Sequence, residues 1–148
     1  MYRRKGNNRE DIEVLLVHPG GPFHKNKDDG FWHIPKGGIE DYEKPIDAAM
    51  REFWEETQIT PPSPVNLKSL GEIRQTHKIV QVWAGEGDFP DEHIPSPLML
   101  EIEHPKGSGN IIKFPEVDKL EFFPLPVAES KIFAPQKTFI ERLKNILP

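Results

Sequence analysis

The chain is 148 residues long, carries a formal net charge of −5 and contains no cysteine. The length suits one domain with one core. Without cysteine there are no disulfides, no thiolate catalysis and no Cys-based zinc site, and the acidic balance exerts no global pull on polyanionic nucleic acid. No apolar run approaches the roughly 18 to 20 residues that span a bilayer. The basic start Met1–Gly6 has no apolar stretch behind it, as a secretory leader would. Absent cysteines are consistent with the cytosol, and a cytoplasmic location without membrane contact is expected.

Ile12–Val17 is apolar and rich in β-branched residues, and it stops at His18-Pro19-Gly20-Gly21-Pro22. It reads as a strand buried on both faces. After a polar loop over Lys25–Gly30, Phe31–Ile34 reads as a short strand ended by Pro35-Lys36-Gly37-Gly38. Lys44–Thr57 is the clearest helix. Pro45 fits its first turn, Ile46, Ala49, Met50, Phe53 and Trp54 make an apolar face, and Pro61-Pro62-Ser63-Pro64 forbids continuation. Strands are expected at Leu67–Arg74, Lys78–Ala84, Leu98–Glu103, Ile111–Phe114 and Leu120–Phe123, with a hairpin turn over Lys106–Asn110. Phe139, Ile140, Leu143, Ile146 and Leu147 suggest a C-terminal helix over Thr138–Leu147. There is no repeat and no linker, so the expectation is one α+β domain over residues 1–148.

On a helical wheel Glu52, Glu55 and Glu56 fall within about 100° of one another and lie away from the apolar face. They are neighbours at i, i+3 and i+4, where like charges cost a few tenths of a kcal/mol per pair. They also occupy the last turns, where the helix dipole disfavours anions. A solvated acidic face is one explanation. The other is a hard divalent cation, whose preferred ligands are carboxylate oxygens.

The surrounding spacing decides between them. Gly37 is followed six positions on by Glu43, then by Arg51-Glu52-Phe53-Trp54-Glu55-Glu56-Thr57-Gln58-Ile59. This resembles the Nudix box at every defining position except its last glycine, here Gln58. The lead-in Trp32–Gly37 is similar to that of MutT-like pyrophosphohydrolases and diadenosine polyphosphate hydrolases. Val14–Pro19, Trp83–Asp88 and Phe114–Leu125 look like one group of predicted nucleoside triphosphate pyrophosphohydrolases.

The resemblance implies a Nudix-type α/β/α sandwich with a mixed central β-sheet and hydrolysis of a diphosphate linkage. The substrate would be a nucleoside di- or triphosphate or a dinucleoside polyphosphate, with Mg²⁺ or Mn²⁺ as cofactor. It implies that Glu52, Glu55 and Glu56 bind metal, aided by a main-chain carbonyl near Lys36 or Gly37. Arg51 and Glu43 would pair and hold loop to helix, while Gly37 and Gly38 let the backbone turn close to a ligand. Metal-bound water needs a general base; Glu116 is the candidate, with Glu103 and Asp118 behind it. Lys36 would meet a substrate phosphate as a point charge, and Trp32 is a candidate for stacking on a base, with core packing the alternative. Trp83 reads as core, and His33 and His77 lack a partner at ligand spacing.

Gln58 occupies a position that often wants a left-handed backbone, costing a non-glycine residue roughly 1 kcal/mol. Similar chains usually have a further strand segment ahead of Tyr2-Arg3-Arg4, so the expectation is either a truncated start or a shorter edge strand, and a homodimer built on that edge stays open. Two other functions compete with small-molecule hydrolysis. A nucleotide sensor that had lost activity would ordinarily have lost box carboxylates. An RNA 5′-end pyrophosphohydrolase is opposed by the acidic balance and the lack of a basic stripe.

Overall fold

A computed structural model describes residues 1–90, 93 and 98–148 of the chain. The elements, in chain order, are β1 (Tyr2–Arg4), β2 (Ile12–Pro19), α1 (Pro45–Thr57), β3 (Lys68–Gln75), β4 (Lys78–Ala84), β5 (Met99–Glu103), β6 (Ile111–Pro115), β7 (Val117–Pro124), α2 (Leu125–Lys131) and α3 (Lys137–Ile146). Apart from Phe31–Ile34, the predicted strands and both predicted helices are present with ends shifted by a few residues. Two elements lacked a readable signal. The strand β1 has three residues, too few to show a period, and α2 begins Leu-Pro directly after a strand. The Phe31–Ile34 segment forms only isolated bridges, Val17 with His33 and Trp32 with Ile132.

β2 is the centre of the fold. It pairs antiparallel with β7 along one edge and with β1 along the other. Its continuous apolar run follows from its position, because both faces are covered. On one face Ile12, Val14 and Leu16 meet Phe123, Leu125, Ala128, Phe139, Ile140 and Leu143, so α2 and α3 close that side. On the other face Leu15 meets Phe53 of α1 together with Ile59 and Phe122. Burying each such side chain stabilises the fold by roughly 1.5 to 3 kcal/mol. The named sheets are antiparallel. Parallel pairing enters through the Tyr2–Glu86 and Trp32–Ile132 bridges, which join the β3–β4 hairpin and the C-terminal helices to the centre. The result is the expected α+β sandwich with helices on both sides of a mixed sheet. Among the described residues, no helix is long and apolar enough to cross a membrane.

Two features of α1 differ from the wheel. Trp54, assigned to the apolar face, is 49% exposed. Glu56, assigned away from that face, is buried with Ala48, Phe53 and Thr57. The face turned inward is therefore rotated toward the carboxylates, because α1 packs against the 34–38 segment as well as against the sheet.

Gln58 ends α1 in the expected left-handed conformation, with φ 57° and ψ 22°. Its amide donates to the carbonyls of Trp54 and Glu55, both at 3.3 Å, which offsets part of the backbone strain. Glycine has no such penalty. The Gln58→Gly protein is expected to melt about 2 to 4 °C higher, as roughly 1 kcal/mol allows in a chain of this size. A lower melting temperature in calorimetry would mean that the two side-chain bonds outweigh the strain.

Candidate active site

Arg51 organises the site. Its Nε and Nη2 donate to the two carboxylate oxygens of Glu43, each at 2.9 Å. The same Nη2 donates to the Gly38 carbonyl at 2.8 Å. Nη1 donates to Glu52 Oε1 at 2.9 Å and to Glu55 Oε2 at 3.2 Å. One planar fork thus ties the loop before α1 to two carboxylates on the helix, a geometry that a lysine cannot copy. The expected Arg51–Glu43 pair is present and is part of a larger network.

The Arg51 guanidinium beside Glu43 holds its carboxyl down to about 2, with help from the Glu40 N–H. A carboxyl with a depressed folded-state value contributes stability that is complete above the unfolded value near 4.5 and is lost as pH falls toward 2. Acid titration followed by circular dichroism is therefore expected to lose a component between about pH 4.5 and 2 in Glu43→Gln. An unchanged titration would show that the pair adds nothing to folding.

The loop meets the helix at two points. Lys36 N–H donates to Glu56 Oε2 at 3.1 Å. Gly37 lies against Glu52 so closely that a Cβ there would stand 1.8 Å from its carboxyl carbon. Gly38 is open, with nothing within 4 Å of such a Cβ. Of the two predicted glycines, then, only Gly37 is demanded by space.

Burial pushes the Glu56 carboxyl up to about 8, against the Lys36 N–H and charge, and Glu116 and Glu52 push it in the same direction as burial. Glu116 is also raised, by burial first and then by Glu52 and Glu55. Glu116 is thereby placed among the three helix carboxylates although it lies 60 residues beyond Glu56 in the chain. Its N–H donates to Leu98 O and its carbonyl accepts from Gly20 N, both at 2.9 Å.

These residues fit a hard cation in their donor chemistry. Of these four carboxylates, Glu52 and Glu55 are held by the Arg51 guanidinium, while Glu56 and Glu116 are held above their ordinary range by burial and by repulsion from their acidic neighbours. A nearby divalent charge reverses that penalty. The present arrangement is built around Arg51: among the described residues, no three Asp, Glu or His side chains form a ready-made cation cage.

Two sequence expectations are corrected by position, and a third residue is found engaged. Trp32 is 4% exposed, edge-on to Phe123 at 4.8 Å, with its indole N–H on Asp28 Oδ1 at 2.8 Å. It is core and cannot stack on a base. Glu103 accepts the N–H groups of Gly107 and Gly109 at the exposed end of the β5–β6 hairpin, so it caps a turn. Asp118 Oδ1 is engaged with His18 Nδ1 at 2.7 Å.

A cavity of about 530 Å³ lies beside this network, with Lys36, Gly37, Ala49, Phe53, Gln81 and Trp83 in its wall. None of the four carboxylates lines it; the Lys36–Gly37 backbone is the wall that the two regions share. Trp83, read from the sequence as core, is instead half-buried in this wall, and consecutive residues of β4 from Lys78 to Trp83 contribute to it.

The chain matches the model of the NUDIX domain over residues 3–143. It is similar to the RNA pyrophosphohydrolase of Bartonella clarridgeiae, with 57% identity over 70 residues that cover 47% of this chain and 33% of that protein. The RNA pyrophosphohydrolase of Psychrobacter cryohalolentis is 27% identical over 84 residues, covering 55% of this chain and 48% of that protein. The chain thus spans less than half the length of these relatives. A crystal structure of a C. elegans Ap4A hydrolase binary complex has the same fold, at a TM-score of 0.61 and 20% identity, over 97% of this chain and 90% of that one.

Proposed function

Because the chain belongs to the NUDIX domain family, we propose that it is a hydrolase using Mg²⁺ or Mn²⁺ and water to cut a diphosphate linkage in a nucleotide-like small molecule. The observation that carries this reading is the gathering of four carboxylates: Glu52 and Glu55 held by Arg51, and Glu56 and Glu116 close to them and held above their ordinary range by burial and by their acidic neighbours. Glu52, Glu55 and Glu56 would hold the cation. When bound, such a cation neutralises the diphosphate and acidifies a water. Glu116 accepts the water proton as the water oxygen attacks phosphorus and the bond to the leaving phosphate oxygen breaks. Lys36 adds a positive charge toward the phosphates. Arg51 and Glu43 keep the loop and helix in register and need not touch substrate.

The cavity beside the Lys36–Gly37 wall has the volume of a small-molecule site. It suits the nucleoside end of a nucleoside di- or triphosphate or of a dinucleoside polyphosphate. The names of the curated relatives favour a second reading, in which the diphosphate is carried on an RNA 5′ end. The formal charge of −5 argues for the small molecule, since nucleic-acid affinity rests on phosphate neutralisation.

A phosphate-release screen with Mg²⁺ or Mn²⁺ separates these readings. Nucleoside triphosphates, diadenosine polyphosphates and 5′-triphosphorylated RNA are tested with the wild-type protein and with Glu56→Gln. Metal-dependent cleavage of a free nucleotide, lost in the variant, is the expected result. Cleavage of RNA alone would move the assignment to the second reading, and cleavage of nothing would leave a nucleotide-binding domain.

A further inference from the structure

His18 closes β2 and is 2% exposed, yet it carries two hydrogen-bonding nitrogens. Nε2 lies 2.7 Å from the carbonyl of Lys27, and Nδ1 lies 2.7 Å from Asp118 Oδ1. A carbonyl only accepts, so Nε2 donates to it, and Nδ1 and the Asp118 carboxyl share a proton between them. The ring edge also rests against Trp32, 5.2 Å between centroids. One buried side chain therefore joins the end of β2, the 20–30 loop and the start of β7.

Asp118 reaches His18 because of a bulge. The pairing of β2 with β7 steps from His18–Lys119 to Pro19–Val117, which leaves Asp118 as the unpaired residue. A bulge bends its strand and re-aims the side chains around it, and Glu116 lies two residues ahead of this one, immediately before Val117. The Glu116 backbone is fixed on its other side too, by the Gly20 N–H two residues past His18. Gly20 presses so closely on the strand that a Cβ would stand 1.9 Å from the Pro115 carbonyl oxygen. A buried, doubly bonded imidazole is a costly way to close a strand end unless the position it fixes matters.

We propose that His18 and Asp118 are a positioning pair that aims the Glu116 carboxylate at the reaction centre. This rests on Glu116 being the base in the hydrolysis proposed above.

The test compares His18→Gln, Asp118→Asn and Asp118→Ala, each with and without Glu116→Gln, on the best substrate from the screen at saturating Mg²⁺. Glu116→Gln is expected to lower kcat by about 10²-fold or more. Asp118→Ala and His18→Gln are expected to lower kcat about tenfold or more with KM within about twofold, as misplacement of a reacting group does. Asp118→Asn, which keeps an acceptor for Nδ1–H, should recover much of the loss. In the Glu116→Gln background the same changes should cost nothing further, because the group they aim is gone. A merely structural pair would lower kcat equally in both backgrounds, and that result overturns the proposal. If Glu116→Gln keeps full kcat, the base assignment itself fails. Amide hydrogen exchange at Gly20 and Glu116 gives a readout without substrate. It should speed up in His18→Gln, and unchanged protection there would dismiss the brace whatever the enzyme cleaves.

Discussion

The Glu56→Gln protein is expected to lose about 10³-fold in kcat while melting at the wild-type temperature or above it. The two readouts separate because Glu56 contributes differently to each. It is buried within α1, bonded to the Lys36 N–H, and burial makes its ionised form costly. An isosteric amide keeps an oxygen acceptor for that N–H and removes a buried carboxylate, so folding loses nothing. On the proposed assignment chemistry loses an anionic ligand, and several kcal/mol of charge stabilisation correspond to about three powers of ten in rate. Steady-state kinetics at saturating Mg²⁺ and a thermal melt of the same preparation decide the matter. A kcat within tenfold of wild type would remove Glu56 from the site. A melting temperature well below wild type would mean that its role is structural.

Gly37→Ala is expected to lower kcat/KM by about 10²-fold, whereas the adjacent Gly38→Ala stays within about threefold. A Cβ at Gly37 falls on the Glu52 carboxylate, 1.8 to 2.2 Å from its three terminal atoms. The obstacle is the end of a flexible side chain, so the fold can relieve the overlap cheaply by moving it. On the proposed assignment the position it vacates is that of a metal ligand, and a displacement of about 1 Å near reacting groups is enough for a loss of this size. At Gly38 the same methyl meets open space. Equal losses in both variants would point to loop stiffness. No loss in either would show that Glu52 tolerates displacement and is not a ligand.

The fold owes its sequence legibility to a few strong local patterns. The continuous apolar run of β2 announced a strand covered on both sides, and β2 is the middle of the sheet. The apolar periodicity of α1 and α3 and the prolines and glycines around them set those helices to within a few residues. The spacing from Gly37 to Glu56 was readable as chemistry because helix geometry alone brings i, i+3 and i+4 side chains together.

What the sequence could not carry was decided by packing between distant segments. Nothing local distinguishes Trp32 in the core from Trp83 at a cavity, since both lie in short apolar stretches; the neighbours across the sheet make the difference. Nothing local tells Glu116, among the helix carboxylates, from Glu103, capping an exposed turn. His18 read as part of a chain break and is a buried bridge between three segments. Spacing along one helix is fixed by covalent geometry, so the sequence by itself determined which three carboxylates stand together. The fourth carboxylate, the cavity and the brace behind it depend on contacts between residues about 10 to 100 positions apart, and only the tertiary structure decided those.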